Sequence, residues 1–167
     1  MSQFLSRSGT DISKLLSHLQ EGDWRDAALE TNRVMLTAAG QTDGNYYTYA
    51  AVVNFPCADL LELDRLWLDY SDRQFGFSIQ TQIWNSYTFN AKEPSTSVGQ
   101  FRYFTERIGW RKEGVYLRYT ELEFDIESAP LGHLPFVIYF YPIQPWLAWT
   151  NGYTWFFERS QACGLGA

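Results

Sequence analysis

The sequence predicts an all-α fold, a compact helical domain with short connections. From Ile12 to Ile108 the apolar residues recur mainly at spacings of three and four, which gathers them on one face of a helix. Residues that start or stop helices, such as Gly22, Asp23, Pro56 and Gly76, fall between these periodic stretches. A length of 167 residues suits a single hydrophobic core.

Thr10 or Asp11 is placed to cap a first helix carrying Ile12, Leu15, Leu16 and Leu19, which Gly22 ends. Asp23 opens a second helix, with Asp26 three residues on and Trp24, Ala27, Ala28, Thr31, Val34, Met35 and Ala38 following. The brief link makes the pair an antiparallel hairpin. Gln41 to Tyr49 reads as a loop, and Asn54-Phe55-Pro56 as extended backbone leading to a third helix with Leu60, Leu63, Leu66, Trp67 and Tyr70. Asp59 sits in its first turn, where the helix dipole favours an acid.

Gly76 turns the chain between Phe75 and Phe77, and Ser78 is the expected cap of a helix through Ile79, Ile83 and Trp84. Asn90 to Gly99 is rich in Ser, Thr and Pro and reads as a mobile surface loop. A short helix with Phe101, Phe104, Thr105 and Ile108 follows. Val115, Leu117, Tyr119, Leu122, Phe124 and Ile126 partly alternate with polar residues, so a strand or an extended ligand loop competes with a helix. A short helix between Gly152 and Cys163 closes a domain occupying 11–167, after a short tail at 1–10.

Composition narrows the function. A formal charge of −6 and the lack of a basic run oppose nucleic-acid binding, which needs clustered Lys and Arg. Aromatic residues make up 18% of the chain, more ring surface than a helical core of this size needs, so some rings are expected to line a groove. Cys57 and Cys163 are the only cysteines; they allow one bridge at most, make a disulfide scaffold unneeded, and point to a reducing cytoplasm. Met1 to Thr10 holds no apolar stretch of signal-peptide length, so the encoded and mature chains are expected to coincide. Leu134 to Phe157 carries no charge, but Pro135, Pro142 and Pro145 interrupt it. Buried core or ligand wall is the expected reading, with peripheral membrane contact as the alternative.

No phosphate-binding glycine loop or nucleophile elbow is present. Cys57, Cys163, His18 and His133 show none of the spacings of a zinc site, so no metal site and no catalytic residue is expected. His133 lies in Gly132-His133-Leu134-Pro135, where a ring hydrogen bond orienting a turn is the simplest role. His18 flanks the apolar face of the first helix.

Read together, several short motifs carry a resemblance. Gly22-Asp23-Trp24, Phe55-Pro56-Cys57-x-Asp59-Leu60, Asp64-x-Leu66-Trp67, Phe75-Gly76-Phe77-Ser78-Ile79-Gln80, Ile83-Trp84, Gly109-Trp110-Arg111 and Gly132-His133-Leu134-Pro135 occur in the order found in the tetrapyrrole-binding domain family called genomes uncoupled four. The chain resembles that family from about Ile12 to Cys163. The resemblance implies an all-helical domain shaped like a cupped hand, with a concave apolar face and two mobile loops over a porphyrin. It implies non-catalytic binding of protoporphyrin IX or magnesium protoporphyrin IX, and regulation of magnesium chelatase in chlorophyll biosynthesis through that enzyme's large porphyrin-binding subunit. Haem or a linear bilin is the alternative ligand, bound by an interaction module without chelatase activation. A cytoplasmic monomer is expected, with peripheral contact to photosynthetic membranes as the variant.

Carried over by position, Phe75, Phe77 and Ile79 correspond to the wall of the cup, and Trp110 with Arg111 to part of the covering loop. A porphyrin is an apolar plate with two ionised propionates on one edge, so its site needs ring-sized walls and a cationic rim. After Pro135 no Lys or Arg occurs before Arg159, which leaves Arg107, Arg111, Lys112 and Arg118 as the rim cations. The same rings also suit core packing, as Trp24 and Trp67 do, and the same cations suit a solvated surface.

Overall fold

A computed structural model describes residues 4–41, 47–89, 91–92, 95–137 and 145–167, the first five of the last stretch by backbone alone. Helix α1 (Ser13–Glu21) and helix α2 (Trp24–Ala38) form the expected hairpin. Ile12 is the N-cap of α1, and the Asp11 carboxylate accepts from the Ser13 N–H at 2.9 Å. The Asp23 carboxylate accepts from the Asp26 N–H at 3.3 Å and caps α2. Ala27, Ala28 and Thr31 are fully buried on α2, and Thr31 Oγ1 accepts from the Trp67 indole N–H at 3.0 Å.

Residues 4–10 pack as an arm on the domain. The Ile12 N–H donates to the Phe4 carbonyl at 2.8 Å, and Ser8 donates through N–H and Oγ to the buried Asp59 carboxylate at 3.2 and 2.9 Å. Asp59 thus receives hydrogen bonds from the arm in addition to lying in the first turn of its helix.

Helix α3 (Tyr49–Val53), capped by Thr48, was not expected; five residues are too few to show a periodic pattern. Helix α4 (Cys57–Tyr70) and helix α5 (Phe77–Asn85) match the expectation. The cap of α5 does not. Ser78 lies inside the helix, and its N–H donates at 2.8 Å to Asp64 Oδ1 on α4, so the cap comes from a neighbouring helix. Gly76 makes this possible: its φ is 148°, and a Cβ there would lie 3.0 Å from Asp64 Oδ1.

Helix α6 (Thr96–Arg107), capped by Ser95, begins inside the stretch read as a mobile loop; of that stretch, residues 90, 93 and 94 lie outside the described residues. Strands β1 (Arg111–Lys112) and β2 (Val115–Tyr116) form a minimal antiparallel hairpin, followed by a single 3-10 turn at Tyr119–Glu121 and extended chain. The competition left open in the sequence is settled for extended backbone. Helix α7 (Pro145–Ala162) starts before Gly152, with Pro145 at a first-turn position that needs no N–H donor. No helix among the described residues is long and apolar enough to cross a membrane.

The cysteine expectation is corrected: Cys57 and Cys163 are joined, closing a sequence separation of 106 residues. The bridge ties the start of α4 to the residue after α7. Arg159 Nε and Nη2 reinforce it by donating to the Phe55 carbonyl at 2.9 and 2.7 Å.

Candidate functional site

The rings fall into two groups. In the first, Trp24, Trp67 and Phe75 meet at centroid distances of 5.5 to 6.2 Å, and the Trp67 indole N–H donates to Thr31 Oγ1 at 3.0 Å. None of the three lines the two recesses described next. In the second, Trp84, Phe104 and Phe157 pack in the core and lead outward to Tyr153, Trp110 and Phe136.

That second group opens into a shallow recess lined by Phe101, Trp110, Tyr116, Leu117, Phe136 and Tyr153, with Thr105 and Val137 completing it. The inner part is narrow, with room for about one water molecule. A second, equally narrow apolar recess lies between Met35, Tyr47, Val52, Phe55 and Phe156 and shares Val137 as a wall. The Tyr153 hydroxyl donates to the Val137 carbonyl between them. Burial raises the Tyr153 pKa well above its usual value, and the nearby Tyr47 adds to this, so the phenol stays a neutral donor.

The recess owes its shape to one turn. The Trp110 indole N–H donates to the His133 carbonyl at 2.7 Å, and the Gln80 amide donates to the Gly132 and Pro135 carbonyls at 2.9 and 2.8 Å. His133 is fully buried: its Nδ1 lies 2.5 Å from the Ile108 carbonyl, and its Nε2 accepts from the Glu123 N–H at 3.0 Å. These partners select the neutral tautomer protonated on Nδ1. Burial lowers the His133 pKa and Lys112 lowers it further, against the Ile108 hydrogen bond and the Glu123 charge. Gly109 completes the corner, since at φ 81° a Cβ would lie 2.8 Å from Pro130 Cγ.

The residues singled out in the sequence are spread over several places. Trp110 lines the recess. Phe75 and Phe77 are wholly buried, Phe75 in the closed triad and Phe77 against Phe156 at 5.3 Å; a contact from either with a plate would require that packing to open. Ile79 is buried on α5 beside the Gly132 turn. Arg111, the first residue of β1, pairs with Glu106, and its guanidinium lies 5.4 Å from the Tyr116 ring centroid. Lys112 and Arg118 are exposed, and Arg107 lies over the Tyr103 ring at 5.8 Å.

Sequence reasoning did not single out Phe101, Tyr116 and Leu117 as recess walls, whereas Phe136, Val137 and Tyr153 lie in the segment read as buried core or ligand wall. Their signals were weak: Phe101 had a place on a helix face, Tyr116 and Leu117 lay in the ambiguous extended stretch, and Tyr153 lay in the uncharged C-terminal segment. His18, Asp23 and Asp26 converge despite their unpromising spacing, with His18 Nδ1 3.4 Å from Asp23 Oδ2. Asp23 there is already occupied as the cap of α2.

The sequence matches the GUN4-like family over residues 5–155. A chloroplastic tetrapyrrole-binding protein of Arabidopsis thaliana is 30% identical over 139 residues, covering 77% of this chain and 49% of that protein. A Ycf53-like protein of Synechocystis sp. is 29% identical over 133 residues, covering 78% of this chain and 52% of that protein. The chain thus spans about half the length of these curated relatives. The ligand-free structure of Arabidopsis thaliana GUN4 superposes with a TM-score of 0.68 at 22% identity, covering 100% of this chain and 99% of that one. GUN4 from Chlamydomonas reinhardtii gives 0.68 at 24% identity, covering 99% and 97%. At these identities the two structures show a shared fold, and the match over residues 5–155 establishes that the chain belongs to the GUN4-like family.

Proposed function

We propose that the chain is a non-catalytic tetrapyrrole-binding protein, that its ligand is protoporphyrin IX or magnesium protoporphyrin IX, and that it regulates magnesium chelatase by acting with that enzyme's large porphyrin-binding subunit. The observation that carries this reading is the pair of apolar recesses joined at Val137, one of them walled by Trp110, Tyr116, Phe136 and Tyr153. Ring walls fit an apolar plate, and Arg111 beside Tyr116 supplies a cation at the edge. Family membership and the tetrapyrrole-binding Arabidopsis relative support the ligand class.

With room for about one water molecule the recess is far smaller than a ligand-sized pocket, so a plate would lie outside it or spread Tyr116 from Phe101. Tyr116 is suited to that movement because it is 36% exposed, whereas Trp110 is held by its indole hydrogen bond. Trp110, Phe136 and Tyr153 would hold the plate; Arg111, Lys112 and Arg118 are the candidate partners of its carboxylates. Phe75, Phe77 and Ile79 would act by supporting the wall from behind.

The test is an absorption titration of the full chain with protoporphyrin IX and with its magnesium complex, with haem and biliverdin as competitors. Saturable binding that Tyr116→Ala weakens about tenfold is expected, from the loss of roughly 1.5 kcal/mol of ring burial. Unchanged binding in Tyr116→Ala would move the site elsewhere, and preference for biliverdin or haem would replace the proposed ligand.

A further inference from the structure

The bridge between Cys57 and Cys163 closes a separation of 106 residues, yet it lies near the surface. Both cysteines are half-buried and their neighbours Ala58, Ala162 and Gly164 are exposed, so a reductant can reach the sulfurs. Cys57 is the first residue of α4, an end that no side chain caps, where the helix dipole favours a departing thiolate. The Asp59 carboxylate in the same turn opposes this, but it is engaged by the Ser8 N–H and hydroxyl. Arg159 adds a cation at the Phe55 carbonyl, two residues before Cys57.

The same corner walls the second recess. Phe156, Arg159 and Cys163 follow at spacings of three and four, and the Cys163 N–H donates to the Arg159 carbonyl at 2.9 Å, so one helical face runs on through Cys163. Along that face Phe156 shares the recess with Phe55, Arg159 holds the Phe55 carbonyl, and Cys163 holds Cys57. The bridge therefore fixes two walls around a space for about one water molecule. The end of α7 also has holds of its own. Phe157 is fully buried, Leu165 is buried beyond the bridge, and Gln161 Nε2 donates to Asn85 Oδ1 at 2.7 Å.

We infer that this bridge is a thiol–disulfide exchange site that gates the second recess: a dithiol reductant opens it, and the reduced chain admits an apolar ring between Phe55 and Phe156. In the exchange a reductant thiolate bonds to Cys163 Sγ, the bond between the two cysteine sulfurs breaks, and Cys57 leaves as a thiolate and takes a proton. The second reductant thiol then displaces Cys163 from the mixed disulfide. Two electrons and two protons pass to the chain, and the reductant ends as a disulfide. Without the bridge Phe55 is tied to α7 by the Arg159 hydrogen bonds, which water can replace at this half-buried side chain. The gate acts on the recess and not on one ligand, so it stands even if the pigment proposed above binds elsewhere.

The test titrates benzene into the full methyl-labelled chain and follows the Met35 and Val52 methyl resonances. It is run on the bridged chain, in dithiothreitol, and on the Cys57→Ser/Cys163→Ser double variant, with free thiols counted and helix content read by far-UV circular dichroism. Expected are two thiols released with helix content kept, and benzene binding at least about fivefold tighter in the reduced chain and the double variant than in the bridged chain. Dithiothreitol should add nothing in the double variant; should that variant lose helix, the reduced wild type decides. Equal benzene affinity with and without the bridge, thiols released only with loss of helix, or a dithiothreitol response that persists in the double variant would each overturn the inference.

Discussion

The two ring groups are built from the same residue types and end differently. Trp24, Trp67 and Phe75 pack against one another, and the Trp67 indole is fixed to α2 by its hydrogen bond to Thr31. Trp110, Phe136 and Tyr153 run instead to a two-residue hairpin, where Val115 and Tyr116 reach solvent. The lesson is that ring content does not define a site; what closes over the rings does.

The sharpest break in this comparison is Trp67→Ala. It should cost about 4 kcal/mol of stability, read by denaturant unfolding, because it leaves a cavity and removes the partner of Thr31. Next comes the seam between the two groups. Cys163→Ser detaches α7, which carries Tyr153, from α4, which carries Trp67; with a separation of 106 residues the expected loss is about 3 kcal/mol. Reductant should lower the melting temperature of the wild type and leave the variant unchanged.

His133 sharpens the comparison through pH. Its folded pKa lies below the unfolded value near 6.5, so the stability it contributes is complete above that value and is lost as pH falls toward the lowered one. His133→Phe should remove this acid-side slope and cost about 2 kcal/mol at neutral pH, since it leaves the Ile108 carbonyl and the Glu123 N–H unpaired. Unfolding measured between pH 5 and about 8 checks both.

Asp64 is the smallest effect and has the opposite sign. Burial raises its pKa above 3.8, against hydrogen bonds from Ser78 and Phe77 and the charge of Arg73. Its contribution to stability therefore falls as pH rises from 3.8 through the raised value, and the ionised group carries a burial cost at neutral pH. Asp64→Asn keeps an oxygen for the Ser78 N–H and should change neutral-pH stability by less than about 1 kcal/mol while flattening that acid-range slope.

The helices were legible where three- and four-residue spacing persisted, as in α2 and α4, and where a cap lay next to its helix, as with Asp23. They were not legible where the answer depends on distant chain. Ser78 looked like a cap because Asp64, fourteen residues earlier, leaves no local sign of its reach. The bridge between Cys57 and Cys163 likewise follows from where α7 ends in space. Of the candidate site, Trp110 was readable from its motif. The adjacent Arg111 does not itself line that recess; it lies against the ring of Tyr116, one of the walls, and pairs with Glu106, a contact that the spacing did not signal.

The most direct test is a protoporphyrin IX titration comparing Tyr116→Ala with Trp67→Phe under conditions where both are fully folded. Selective loss of affinity in Tyr116→Ala, with Trp67→Phe binding like the wild type, is the predicted result. Equal binding in Tyr116→Ala and loss in Trp67→Phe would place the plate among the enclosed rings and contradict the account.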